Sequence, residues 1–212
     1  ANGAKLINNA LLYPGEVFSS YDYLLPFSVD NGYYVAGSYN AGRVEQSIGG
    51  GACQVTTTLY NAVLWAELDV VERLAHSMTV SYVDLAFDAA IAEGSKNFRF
   101  RNNTDMPILI EAFSKDREIT FRIWGHESRD PDRTIKYVNK VVREISPSST
   151  EKITRDSSKP SSYRKVTQSA KKGYEAELYK VIYVNGEEVG RELVNKSYYH
   201  AEPAHVTVGT KK

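Results

Sequence analysis

The sequence holds one cysteine in 212 residues, so no internal disulfide closes a loop. That removes the small disulfide-stapled class of secreted domain without naming a compartment. There is no unbroken apolar run of the roughly 18 residues that suggests a membrane helix. No basic segment leads into a short apolar one at the start. The opening Ala1-Asn2-Gly3 reads as a cut inside a longer parent, so any signal or anchor would lie elsewhere. Glycine and proline are sparse, at 14 and 7, which excludes collagen-like and low-complexity chains. Net charge is absent too, because 26 Lys+Arg balance 26 Asp+Glu.

That neutrality is a sum of unlike parts. Residues 1–127 carry 9 Lys+Arg and 15 Asp+Glu, a net of −6, and residues 128–212 carry 17 and 11, a net of +6. Such a split suggests two domains with different partners, 1–127 and 128–212. It also suggests attraction between them that added salt should weaken.

What is present in the first part mixes helix and strand signals. Gly49-Gly50-Gly51-Ala52-Cys53 is a loop. After it Val55, Leu59, Ala62, Val63 and Ala66 make one apolar stripe of a helix over about 53–67. β-branched residues mark strands at 70–71 and 78–83, and Phe98-Arg99-Phe100-Arg101 alternates as a half-exposed strand does. Residues 107–124 form a hairpin, with Ser114-Lys115-Asp116-Arg117 as its turn. The expected fold class is α+β, helix on antiparallel sheet, in outline like the papain or transglutaminase thiol folds. Beyond the break at Asp130-Pro131-Asp132 strands dominate, and Asn185-Gly186 is a strong two-residue hairpin turn. The second part is expected to be a small, extended all-β domain.

Cys53 stands where a glycine loop meets a helix N-terminus. Helix N–H groups and the helix dipole favour an anion there, so its thiol should be acidified. Gly50 and Gly51 could supply oxyanion donors or admit a substrate backbone, and Gln54 or Gln46 could add an amide donor. His76 and then Asp88 follow as a base and its orienting group. The bland alternatives are a tightly packed cysteine and a satisfied core histidine. Cys53, His76 and Asp88 as metal ligands lack zinc-knuckle spacing, so no metal or cofactor is expected. Arg99 and Arg101 could hold a substrate carboxylate, or simply form a solvated strand face. Tyr21, Tyr23, Tyr33, Tyr34 and Tyr39 resemble a sugar-stacking platform, as half-buried loops also do. His200 and His205 read as surface residues. The basic stretch 151–172 could meet an anionic wall polymer. It lacks the aromatic interleaving or reading helix of a nucleic-acid binder.

Several motifs resemble the VanW family. They are Pro14-Gly15-Glu16-Val17-Phe18-Ser19, Gly32-Tyr33, Gly49 through Ala62, Glu72 through Ser77, Asp88-Ala89-Ala90, and Phe98 through Asn103. Ala90 departs from the family pattern, which has threonine there. The second part resembles a G-five domain through Gly173-Tyr174, Tyr183 through Val189, Arg191 and Gly209-Thr210-Lys211. The resemblance implies an exported, wall- or surface-associated protein of Gram-positive bacteria, its parent membrane-anchored, in a family linked to vancomycin resistance. It implies peptidoglycan or another wall glycan as partner. A peptidoglycan hydrolase or transpeptidase using Cys53, His76 and Asp88 is one expectation. A non-catalytic peptidoglycan-binding or adhesive surface protein is the other.

Overall fold

A computed structural model describes residues 2–40 and 43–211, without the side chains of residues 39, 40 and 43–45. In chain order the elements are α1 (Asn2–Ile7), β1 (Ala10–Leu12), β2 (Val17–Ser19), α2 (Ser20–Leu24), β3 (Val35–Asn40), β4 (Arg43–Ile48), α3 (Ala52–Trp65), β5 (Asp69–Glu72) and β6 (Arg99–Arg101). Then come β7 (Ile108–Lys115), β8 (Glu118–Trp124), β9 (Arg133–Ile145), β10 (Lys152–Pro160), β11 (Arg164–Gln168), β12 (Gly173–Val184), β13 (Glu187–Tyr199) and β14 (His205–Lys211). The chain is mostly β, 48% strand and 12% helix. This arrangement lends no support to the finer expectation of a papain- or transglutaminase-like fold.

Helix α3 buries the expected stripe. Val55, Leu59 and Val63 recur every fourth residue and turn the same way, with Tyr60 and Leu64 beside them. They share one buried cluster with Phe98, just before β6, and with Phe100, Ile108 and Ile110 from the sheets β2-β6-β5 and β1-β7-β8. In β7, Ile108, Ile110 and Ala112 are buried while Leu109 and Glu111 are half-buried and Phe113 is exposed, the period of two that a one-faced strand requires. The β7–β8 turn is tighter than the four residues expected. Ser114 and Lys115 still pair, and only Asp116 and Arg117 turn, both with positive φ (51° and 67°). That is the twist a two-residue hairpin loop needs.

The second part makes two three-stranded sheets, β13-β12-β9 and β10-β14-β11, with β10 parallel to β14. Asn185-Gly186 turns β12 into β13 as expected, both at positive φ. The β12–β13–β9 sheet does not stand apart. Ala176, Leu178 and Tyr199 belong to the same buried cluster as α3 and β6. Glu67, just past α3, bonds Arg133 and Arg129 and pairs with Lys180, all from the other side of the charge divide.

Three expectations change. Residues 78–83 are not a strand. The whole stretch from 73 to 91 is irregular, and side chains rather than a ladder bond several of its backbone groups. A hairpin of β3 and β4, not anticipated, rises beside the glycine loop. His205 is not a surface residue, being 4% exposed, since it begins the central strand β14, flanked by β10 and β11. His200 is exposed as expected.

Candidate functional site

The glycine loop is shaped by contacts that no other residue allows. A Cβ on Gly50 would lie 2.4 Å from the carbonyl carbon and oxygen of Ala36 in β3, far inside van der Waals contact. Gly51 precedes the helix at φ 89°, a left-handed conformation that favours glycine. Together they press the start of α3 against the β3–β4 hairpin and set Cys53 on its first turn. Cys53 lines a groove of about 520 Å³ between that hairpin and residues 91–93, walled also by Phe27, Ser47, Tyr82 and Glu93.

The irregular stretch is carried along α3 by hydroxyl and amide side chains. Thr56 Oγ1 donates to the Ala89 carbonyl at 2.7 Å, and the Ala89 N–H donates to Thr57 Oγ1 at 3.0 Å. Asn61 Nδ2 donates to the Phe87 carbonyl at 2.8 Å. This seats Ile91 beside Cys53 and Asp88 beside His76. The thiol donates to the Ile91 carbonyl at 3.4 Å, and the Ile91 N–H donates back to the sulfur at 3.5 Å.

Cys53, His76 and Asp88 then form one line. His76 is 3% exposed and Asp88 1%. The His76 backbone N–H and ring Nδ1 both reach Asp88 Oδ2 at 2.7 Å. Tyr82 Oη lies 3.3 Å from Nε2, the other ring nitrogen, and the ring and the Cys53 thiol lie close enough for each to shift the other's ionisation. Asp88 Oδ1 accepts from Arg73 Nη2 at 2.8 Å and from Tyr199 Oη at 2.5 Å. Each carboxylate oxygen therefore has two donors.

The electrostatics follow from this line. Burial disfavours a charged imidazole, but the hydrogen bonds to Asp88 and Cys53 outweigh it and raise His76 to about 9. Burial likewise pushes the Cys53 thiol up. The hydrogen bond and charge of His76, with the Ile91 N–H and the Lys96 ammonium, outweigh it and bring the thiol below its ordinary value. Burial opposes ionisation of Asp88 as well, yet His76 and Arg73 hold it at about 2. A lowered thiol beside a raised imidazole is the condition for a thiolate–imidazolium pair near neutral pH.

The remaining expected residues divide. Gln54 and Gly51 line the Cys53 groove. Gly50 does not, and its N–H is already bonded to the Ser47 carbonyl, so its part is close packing rather than oxyanion donation. Ala52 N–H takes the Gly49 carbonyl and Gln54 N–H takes that of Gly51, so two of the helix-start donors are engaged. Gln46 sits exposed on β4 opposite Gly37 and does not line the groove. Arg99 and Arg101 share one face of β6 away from it, and Arg99 pairs with Glu72 at 3.7 Å. Tyr21 bonds the Ala92 carbonyl, Tyr23 stacks on Phe18 and Tyr33 is buried against Phe27, leaving Tyr34 exposed. The side chain of Tyr39 lies outside the described residues. Arg73, Lys96, Tyr82 and Tyr199 were not foreseen. Arg73 stood within a quoted motif, but Tyr199 is 111 residues from Asp88 with no local signal. Among the described residues, no group of three or more His, Cys, Asp or Glu side chains is arranged to hold a metal ion.

Residues 1–124 match the family model described as VanW like protein, and residues 138–211 match the G5 domain. The chain is 39% identical over 109 residues to the uncharacterized protein YoaR of Bacillus subtilis (strain 168), covering 51% of this chain and 36% of that protein. It is 26% identical over 147 residues to the vancomycin B-type resistance protein VanW of Enterococcus faecalis (strain ATCC 700802 / V583), covering 67% and 53%. The matches thus span from about a third to about half of these relatives' length. Among solved structures, the IgA1 protease G5 domain is 30% identical, covering 38% of this chain and 94% of that one at a TM-score of 0.25. By the match over residues 1–124, which is more than half its length, the chain belongs to the VanW-like family, with a G5 domain following.

Proposed function

We propose that this is a thiol acyl-transfer protein acting on peptidoglycan peptides. The observation that carries the reading is a half-buried Cys53 on a groove beside the buried His76–Asp88 pair. The Cys53 thiolate attacks an amide carbonyl carbon. The carbonyl π electrons move to oxygen, and the Cys53 N–H at the helix start stabilises the developing charge. The C–N bond breaks as the His76 imidazolium gives its proton to the departing amine. A thioester remains. Water or a second amine then attacks it with His76 accepting the proton, giving hydrolysis or transpeptidation. Asp88 keeps the imidazole oriented throughout.

The G5 segment supplies the wall glycan contact in this reading, and the protein acts outside the cell at the wall. The division at residues 127/128 is retained as its domain boundary. No helix of the described residues is long and apolar enough to cross a membrane. The exposed β10 and β11 offer cations to an anionic polymer, although Lys152, Arg164 and Lys172 are engaged by Glu202, Glu151 and Glu144. The test is digestion of purified muropeptides by wild type and Cys53→Ala, read by mass spectrometry. New products with wild type and none with Cys53→Ala are expected. Identical mass lists for both remove the acyl-transfer reading for that substrate.

A further inference from the structure

We propose that Asn195, Ser197 and Tyr199 of β13 are positioning residues for the Cys53–His76 pair, so that the G5 segment forms part of the reaction site. The inference rests on reading Cys53 as the nucleophile.

The grip is specific. Ala86, two residues before Asp88, is fully buried with φ 69°, a conformation an alanine holds only where its surroundings impose it. Both its backbone polar groups are bound by β13. Its N–H donates to Tyr199 Oη at 2.8 Å, and its carbonyl accepts from Asn195 Nδ2 at 3.0 Å. The same Tyr199 hydroxyl then donates its own proton to Asp88 Oδ1. One oxygen therefore ties the strained backbone and the carboxylate to a single strand. Alternate residues of β13 continue the pattern on the same face. Ser197 Oγ accepts from Arg73 Nη1 at 2.7 Å and donates to Asn195 Oδ1 at 3.0 Å. Arg73 in turn donates to both the backbone and the side chain of Asp88. One residue further along, His200 N–H donates to the Ser77 carbonyl, next to His76.

The charged and titratable groups around the pair are Asp88, Arg73, Lys96, Glu93, Tyr60, Tyr82 and Tyr199. Loss of the Tyr199 hydroxyl has two opposed effects. It removes a donor from Asp88, which alone would make the carboxylate hold the imidazolium harder. It also strands the buried Ala86 N–H, which makes residues 86–88 re-seat and draws Oδ2 off His76 Nδ1. Re-seating wins, because a buried donor does not stay unpaired. His76 then moves down toward its ordinary value and the Cys53 thiol moves up.

The experiment is the pH profile of Cys53 alkylation by iodoacetamide on the full chain, from pH 4 to 10. Tyr199→Phe should raise the apparent thiol pKa by about one unit, which is about a tenfold loss of rate below it. Ser197→Ala should move it the same way by a smaller amount, about twofold to threefold in rate. Val181→Ala, in β12 but clear of this network, should lower the melting temperature and leave the profile in place. Profiles of Tyr199→Phe and Ser197→Ala that overlay wild type overturn the positioning role alone. A wild type that reacts at pH 6 no faster than a free cysteine overturns the nucleophile reading, and this inference with it. Should Tyr199→Phe fail to fold, Ser197→Ala decides.

Discussion

The described residues include two buried histidine–carboxylate pairs, one in each half. His76 Nδ1 meets Asp88 Oδ2 at 2.7 Å, and His205 Nε2 meets Glu202 Oε1 at 2.6 Å. Both rings are nearly inaccessible, at 3% and 4%. Their other neighbours differ. Glu202 is shared with Lys152, and both backbone groups of Glu202 pair with Lys171, so the His205 pair lies at the start of the central strand β14. The His76 ring instead interacts with a cysteine on a helix start and with Tyr82, and both of these residues line a groove. A histidine–carboxylate pair is thus a common structural unit, and what makes one a candidate for chemistry is the third group and the space in front of it.

Mutation should separate the two. His76→Asn should cut muropeptide turnover by about a hundredfold or more, the size of a lost general base, with alkylation at pH 6 falling in step. The matching His205→Asn should leave alkylation unchanged. It should cost about 2–3 kcal/mol, or roughly 5–10 °C in Tm, by leaving a buried carboxylate short of a partner. Equal losses of turnover would break the comparison. Asp88→Asn should act like His76→Asn but milder in alkylation, because Nδ1 can still find an acceptor oxygen. Glu202→Gln should register only in thermal melts.

Gly50→Ala sharpens the contrast from the other side. Its Cβ would enter the Ala36 carbonyl, so the hairpin or the helix start must shift, and a loss of about 1–3 kcal/mol is expected with a slower Cys53. Normal stability with normal alkylation would show that the loop is not held as described. The pH dependence of stability is a smaller effect. Asp88 is lowered to about 2, so its contribution is complete above about pH 4 and is lost as pH falls toward 2. Glu67, held at about 2 chiefly by the hydrogen bond from Arg133, adds to the same acid loss. His76 is raised to about 9, so its contribution is complete below about pH 6.5 and is lost as pH rises through 9. Urea titrations across pH 2–10 should show a plateau near pH 4–6.5. In His76→Asn the alkaline decline should shrink. The smallest effect is that of salt, which should lower Tm slightly through the Glu67 cluster.

The sequence was most legible where local rules act alone. The α3 stripe, the alternation of β7 and the Asn185-Gly186 turn each rest on neighbours in the chain. Cys53 was legible for the same reason, since a glycine loop before an apolar stripe marks a helix start. The stretch 73–91 was not. Its β-branched residues fit a pleated surface, but side-chain hydrogen bonds from Thr56, Thr57 and Asn61 claim backbone groups a ladder would have used. The bracing of Asp88 by Tyr199 was hidden in principle, because nothing local in either segment signals a contact of such separation. For Arg99 and Arg101 the alternation fixed a shared face of β6 and not what that face looks toward.

The triple threonine of α3 has a consequence for exchange with solvent. Ala89 N–H is bonded to Thr57 Oγ1, and His76 N–H to the Asp88 carboxylate, both fully inside the protein. In deuterium oxide these two amides should retain protium about as long as those at the centre of β12, although they belong to no helix or strand. Irregular backbone and easily opened backbone are separate properties, and here the former is wired as tightly as a sheet.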